Sequence, residues 1–94
     1  MPTFKYIITD TGAILFNENT THSQVAEGFD KVYSAGFVSI EFGLFKVEVK
    51  SYGKSESLKL KSIPEKDEFI IKDLFASASE IKYYAFNVKS LYNE

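Results

Sequence analysis

The 94-residue sequence contains no cysteine, no arginine and no tryptophan, and it has a single histidine. Without cysteine, the chain cannot form a disulfide, a zinc–thiolate site or a thiol nucleophile. Without arginine, it lacks the planar side chain that makes two parallel hydrogen bonds to phosphate, carboxylate or guanine. These absences exclude thiol catalysis and argue against sequence-specific DNA binding.

Long apolar stretches are also absent, because no run of apolar residues exceeds about four. A membrane-spanning helix needs about 20 such residues, so we expect no membrane segment. The first residues do not have the basic and apolar pattern of a secretory leader, and we therefore expect a cytoplasmic location.

Aromatic residues, by contrast, are plentiful, with nine Phe and six Tyr in the chain. Each buried aromatic side chain removes roughly 150–250 Å² from water, so this inventory can build the core of a small domain. We predict a single domain over residues 1–94. The net charge of −2 does not favour a nucleic-acid or membrane partner.

Alternation of apolar with polar residues and enrichment in β-branched residues predict a chain composed mainly of strands. The predicted strands cover residues 3–9, 13–16, 32–42, 44–52, 57–61 and 80–88, and the predicted helices cover residues 22–27 and 64–76. The fold class is therefore α+β, with a single mainly antiparallel sheet, one main helix and one short helix, in the order β-β-α-β-β-β-α-β. Without the first strand and the strand near residue 58, this order matches the ferredoxin-like plan.

Two spacings predict where the helices begin. Thr21 and Gln24 have the spacing of a capping box, and residues 62–65 (Ser-Ile-Pro-Glu) combine that spacing with an early proline. The predicted main helix has one apolar face. This face consists of Ile70, Ile71, Leu74 and Phe75.

The ionisable residues give no pattern typical of catalysis. His22 has no carboxylate near it in sequence, so it cannot hold a metal alone, and no residue is placed to orient it as a base for Ser23 or Ser34. We interpret His22 as a partly exposed residue in the first turn of the short helix. We interpret the acidic cluster, Glu65, Asp67 and Glu68, as a solvated helix start. We expect no catalytic residue, no metal site and no cofactor.

Two motif fragments fail in detail. Residues 53–55 (Gly-Lys-Ser) are similar to the end of a phosphate-binding P-loop, but Glu48 stands where the first glycine is needed. Residues 33–40 are similar to an RNA-contact motif, but the leading basic residue is missing and Ala35 replaces a stacking aromatic. We expect only weak, unspecific nucleic-acid binding, through the lysine-rich residues 46–61.

Three short motifs resemble a group of short uncharacterised bacterial and phage proteins. They lie at residues 22–26 (His-Ser-Gln-Val-Ala), 32–38 (Val-Tyr-Ser-Ala-Gly-Phe-Val) and 52–58 (Tyr-Gly-Lys-Ser-Glu-Ser-Leu). The resemblance covers roughly residues 13–75. It implies no known activity and transfers no functional residue, but it directs attention to His22 and to the serines at 34, 55 and 57.

Two hypotheses for function remain. The leading one is a small non-catalytic binding or regulatory module that acts through a protein partner, because aromatic residues are favoured anchors at interfaces. Its predicted partner-binding residues are Tyr33, Phe37, Phe42, Tyr52 and Tyr83. The alternative is a binder of a small anionic or nucleotide ligand. Its predicted ligand-binding residues are His22, Ser34, Lys54, Ser55 and Ser57.

The predicted strand at residues 80–88 carries apolar residues on both faces. A strand of this kind belongs to a sheet whose two faces are both covered. The short helix at residues 22–27 is too small to cover much of one face, so we expect a second copy of the chain to do so. The sequence thus predicts a homodimer with Tyr83 or Tyr84 buried at the contact.

Overall fold

The fold is taken from a computed structural model, which describes residues 3–44, 46–75 and Tyr92. Its elements are β1 (Thr3–Thr9), β2 (Gly12–Phe16), α1 (His22–Ala26), β3 (Val32–Phe42), β4 (Val47–Tyr52), β5 (Lys54–Ser55), β6 (Leu60–Lys61), α2 (Pro64–Lys72) and a 3-10 turn (Asp73–Phe75). The predicted α+β class is confirmed, with a mainly antiparallel sheet, one main helix and one short helix. The predicted strand at residues 80–88, and Tyr83 and Tyr84 within it, lie outside the described residues.

The main sheet has four strands in the order β2-β1-β3-β4, and every neighbouring pair is antiparallel. β2 and β3 therefore run parallel on either side of β1, and α1 lies in the connection between them. The ferredoxin-like plan would place β4 there, so that prediction is wrong. The tight β1–β2 hairpin gives the central position to β1, because a local pairing forms with a short connection.

The two faces of this sheet differ in how they are covered, because successive side chains of a strand point to opposite faces. On the face that packs against α2, Tyr6 and Val38 belong to the same buried core cluster as Ile70 and Ile71. We call this the α2 face. The opposite, or α1, face also has a buried part, at Ile7 and its neighbours, and a polar part near the β3–β4 turn.

The two helix starts have different outcomes. The capping box of α1 is confirmed, because the Thr21 side chain accepts from the Gln24 amide at 3.1 Å and the Gln24 side chain accepts from the Thr21 amide at 3.0 Å. The predicted Ser62 cap of α2 is wrong. Ile63 occupies the cap position without a side-chain cap bond, and Ser62 Oγ lies 2.8 Å from the Tyr6 hydroxyl.

α2 also ends before its predicted limit, at Lys72. The next three residues form a 3-10 turn, in which Leu74 and Phe75 are exposed. Their predicted place on the buried face of the helix is wrong. A 3-10 turn has three residues per turn instead of 3.6, so it rotates these side chains away from the stripe that contains Ile70 and Ile71.

The predicted strand at residues 57–61 is mostly a turn, and only Leu60–Lys61 pairs with β5. The Ser55 hydroxyl accepts from the Leu58 amide at 3.2 Å and closes the turn. Lys59 completes it with φ at 56°, in the left-handed region. The two short strands form a ribbon separate from the main sheet, which we call the β5–β6 ribbon.

Gly36, in the middle of β3, is required by a close approach of neighbouring backbone. A Cβ atom at this position would lie 2.6 Å from the Tyr52 carbonyl oxygen and 3.2 Å from Ser62 Cβ. The segment that leads into α2 can therefore pass over β3 only at a glycine. This explains a glycine inside a strand, where alanine would otherwise be preferred by about 0.5–1 kcal/mol.

Gly36→Ala should lower the free energy of unfolding by about 1–3 kcal/mol. The steric overlap of the added Cβ with neighbouring atoms costs more than alanine contributes by reducing the freedom of the unfolded backbone. Gly28→Ala is the matched control. Its Cβ would have as nearest neighbour the Val25 carbonyl oxygen at 3.8 Å, so a change below about 0.5 kcal/mol is expected. Urea unfolding of both variants checks this, and equal stabilities would contradict the close approach.

Candidate functional site

The β5–β6 ribbon forms one side of an open cleft of about 760 Å³. The cleft is lined by Tyr33, Lys54, Ser55, Glu56, Lys59, Leu60, Lys61 and Ile63. Three lysines thus line a single space together with one glutamate, and the remaining wall is mostly apolar. An anionic ligand with an apolar part suits these surroundings.

The serines of the ribbon hold its turn together. Ser55 is buried, and its hydroxyl lies 3.3 Å from the Ser57 hydroxyl in addition to its bond from the Leu58 amide. Because these hydroxyls already have partners, they fix the shape of the ribbon and position Lys54 and Lys59 at the cleft. Of the five predicted ligand-binding residues, Lys54 and Ser55 line the cleft and Ser57 supports it.

His22 lies elsewhere, on the α1 face. Its side chain is only 5% exposed, so its interpretation as a partly exposed residue is wrong. Nε2 donates to the Gly36 carbonyl oxygen at 3.0 Å, and the ring stands edge-on to Phe16 and Phe37, with centroids 5.4 and 5.8 Å away. α1 places this imidazole against the sheet, where Nε2 has a hydrogen-bond acceptor and the ring contacts two aromatic side chains.

A row of directly paired residues crosses all four strands beneath this imidazole. Phe16 of β2 pairs with Lys5 of β1, which pairs with Phe37 of β3, and Phe37 pairs with Tyr52 of β4. The Lys5 ammonium donates to the Thr20 carbonyl oxygen at 3.1 Å and so joins the row to the loop before α1. The row stabilises the α1 face, since cross-strand aromatic pairs contribute about 0.2–1 kcal/mol each.

Ser34, the fifth predicted ligand-binding residue, is on the α2 face and is fully buried. Its hydroxyl donates to Oδ1 of Asp67 at 2.6 Å. It therefore has no access to the cleft ligand that we inferred from the sequence.

Asp67 is fully buried, and it accepts four hydrogen bonds. Oδ1 accepts from the hydroxyls of Ser34 and Tyr92, and Oδ2 accepts from the Tyr6 hydroxyl and, at 2.8 Å, from the Ile63 amide. We call Asp67 with these four donors the Asp67 cluster. Its donors are neutral and come from β1, β3, the start of α2 and Tyr92, so one carboxylate ties together elements that are distant in sequence.

The prediction that the acidic cluster is a solvated helix start is therefore wrong for Asp67. Glu65 is exposed, but Asp67 is buried, and Glu68 accepts from the Ser51 amide of β4 at 2.7 Å. Asp67 points to a different side of α2 from Glu65 and Glu68, because residues 65 and 68 are only about 60° apart around the helix. The buried Asp67 carboxylate is therefore separated from the other two.

The two tyrosines of the Asp67 cluster have perturbed hydroxyl groups. Burial, followed by the hydrogen bond to the Asp67 carboxylate, raises the pKa of Tyr6 and that of Tyr92 well above the ordinary value of 10.0. Both act as hydrogen-bond donors at neutral pH. Asp67 itself is out of reach of solvent, so the cluster connects the described elements of the fold.

The described residues among the predicted partner-binding set lie in three separate places. Tyr33 is half-buried and stacks on Tyr92, with ring centroids 5.1 Å apart. Phe37 is half-buried and stacks on Tyr52, which is 47% exposed. Phe42 is 62% exposed at the end of β3. Tyr83 lies outside the described residues.

Phe42 belongs to an exposed apolar patch that includes two residues the sequence reasoning missed. Leu44, in the β3–β4 turn, is 95% exposed, and the Phe75 ring stands edge-on to Phe42 at 5.4 Å. We call Phe42, Leu44 and Phe75 the aromatic end. Phe75 was missed because a continuous helix would have buried it, whereas Leu44 carries no sequence signal beyond its place beside Gly43.

Within residues 3–44 and 46–75 and at Tyr92, no three His, Asp or Glu side chains are grouped so that they could hold a metal ion. Neither described helix is long and apolar enough to cross a membrane. No known protein family, no curated protein and no solved structure matches the chain. The resemblance to short bacterial and phage proteins stays a prediction.

Asp67→Asn should lower the free energy of unfolding by at least about 3 kcal/mol, because it puts an amide donor against groups that are themselves donors. Ser34→Ala removes one donor and should cost about 1–2 kcal/mol. The matched control is Glu65→Gln, which makes the same chemical change at an exposed position of the same helix. Urea unfolding that gives Asp67→Asn and Glu65→Gln equal stabilities would contradict the role of the cluster.

Stability should also fall in alkali. The folded protein keeps the Tyr6 and Tyr92 protons at a pH where the unfolded chain has lost them, since the pKa of each is raised on folding. Their contribution is complete below about pH 10 and declines as the pH rises further. The urea midpoint should decline less steeply above about pH 10 in Tyr6→Phe than in the wild type. Equal slopes would contradict this assignment.

Proposed function

We propose that this domain is a small non-catalytic binding or regulatory module that acts through contact with a protein partner. The observation that carries the proposal is the aromatic end. The Phe42 and Phe75 rings are both exposed and stand edge-on to each other, and Leu44, two residues after Phe42, exposes nearly its whole side chain. Exposed apolar residues grouped in this way are typical of a protein-interaction site, and aromatic side chains are its usual anchors.

The occupant we assign to the aromatic end is a second copy of this chain. Charges of both signs lie at the same end of the β3–β4 pair, at Glu41, Lys46 and Glu48. Lys46 Nζ lies 3.1 Å from Glu48 Oε1. The hydrogen bond and the positive charge of Lys46 lower the pKa of the Glu48 carboxyl group. In a two-fold contact the same surface meets itself, so a rim with both signs can pair acid with base across the interface.

This contact differs from the one expected from the sequence, which relied on Tyr83 or Tyr84. The homodimer itself remains part of the proposal, with Phe42 and Leu44 as the central contacts. A cytoplasmic location fits such a module and also remains part of the proposal. We propose no membrane partner and no specific nucleic-acid partner.

Sedimentation of the purified chain at tens of micromolar tests the proposal. The wild type is expected to sediment as a dimer, and Leu44→Asp as a monomer, because it places a charge at the centre of the apolar contact. The substitution leaves the monomer intact, since Leu44 makes little contact with the rest of the chain.

Asn19→Asp is the matched control, because it adds the same charge at an exposed position in the turn before α1. It is expected to remain a dimer. A wild type that is monomeric at tens of micromolar would overturn the assignment, and so would a Leu44→Asp variant that sediments as a dimer.

A further inference from the structure

The β5–β6 ribbon contains two arrangements that are unfavourable in themselves. Lys54 and Lys61 are directly paired across the ribbon, and like charges in that position repel. Lys59 adopts a φ of 56°, a conformation that glycine takes without cost and lysine does not. Local conflicts of this kind concentrate at functional sites.

Both arrangements face the same space. Lys54, Lys59 and Lys61 all line the cleft of about 760 Å³, where Glu56 is the one carboxylate among the described lining residues. The described lining side chains therefore give the cleft two net positive charges. An anion between the ammonium groups would remove the repulsion between Lys54 and Lys61 and give the strained Lys59 a partner.

The rest of the cleft limits what the anion can be. The volume falls within the roughly 300–1,000 Å³ range of small-molecule sites, so it exceeds what a lone phosphate fills. Tyr33, Leu60 and Ile63 offer an apolar wall. The Tyr33 ring is already stacked on Tyr92, and the Lys31 ammonium lies 5.8 Å from its centroid, so the ring is not free to sandwich a base.

We propose that this cleft binds a phosphate-bearing ligand of nucleotide size, with the phosphates held by Lys54, Lys59 and Lys61. The apolar part of the ligand lies against Leu60 and Ile63. Because none of the described lining residues offers a free aromatic face to the base, the phosphates supply most of the affinity, and different nucleoside triphosphates bind about equally. This site is independent of the aromatic end and of dimer formation.

Amide chemical shifts during titration of the 15N-labelled protein test the site, with ATP, GTP, adenosine and pyrophosphate as probes. ATP and GTP are expected to shift the amides of residues 54–61 saturably, with dissociation constants below about 1 mM that rise with salt. Adenosine should produce no saturable shift, because it has no phosphate, and pyrophosphate should bind more weakly than ATP, because it has no apolar part.

Lys59→Gly separates the role in binding from a role in structure. The substitution removes one ammonium group, so ATP should bind about fivefold more weakly. It also places glycine at a backbone conformation that is unfavourable for lysine, so the melting temperature should stay equal or rise. Lys50→Ala, at an exposed position of β4 outside the cleft, should bind ATP as the wild type does.

Four results would overturn the proposal. They are the absence of saturable shifts with ATP, equal binding of adenosine and ATP, equal losses of affinity in Lys59→Gly and Lys50→Ala, and a lowered melting temperature in Lys59→Gly. The last result would mean that Lys59 contributes to the fold and that its conformation needs no ligand to explain it.

Discussion

The hydrogen bonds to the buried Asp67 carboxylate are the interaction on which the rest of this structure depends. Tyr6 brings the central strand to Asp67, and the Ile63 amide fixes the entry into α2. Ile63 is also a wall of the cleft, and Tyr33, another wall, stacks on Tyr92, which donates to the same carboxylate. A buried carboxylate without its donors would be strongly unfavourable. One carboxylate therefore connects the central strand, the entry into α2 and both walls of the cleft.

Much of the fold follows from local signals in the sequence. The β1–β2 hairpin, the capping box at Thr21 and the long third strand each depend on residues close in sequence, and each forms as predicted. The strand order does not follow from such signals, because it depends on which strand edge β3 meets. The exposure of Leu74 and Phe75 could not be predicted either. The helical spacing of apolar residues continues past Lys72, where the α-helix changes to a 3-10 turn.

The Asp67 cluster and the cleft were less accessible to sequence reasoning. Asp67 has the appearance of an ordinary acidic residue at a helix start, and its side-chain donors Ser34 and Tyr6 lie 33 and 61 residues away in the chain. The spacing of apolar residues along a sequence does not predict contacts between residues so far apart in the chain. Lys54 was found through its place in a motif fragment, whereas Lys59 was not, because its significance comes from a backbone angle. The lysine-rich stretch at residues 46–61 was the available signal, and it was interpreted only as unspecific charge.

Hydrogen exchange of the Ile63 amide tests most directly whether Asp67 holds the structure together. This amide lies at a helix start, where an N–H has no partner within the helix and normally exchanges readily. If it donates to the buried carboxylate, it should exchange only when the whole domain unfolds, as slowly as the amides of β1 and β3. An Ile63 amide that exchanges much faster than those strand amides, as an exposed amide does, would contradict the account.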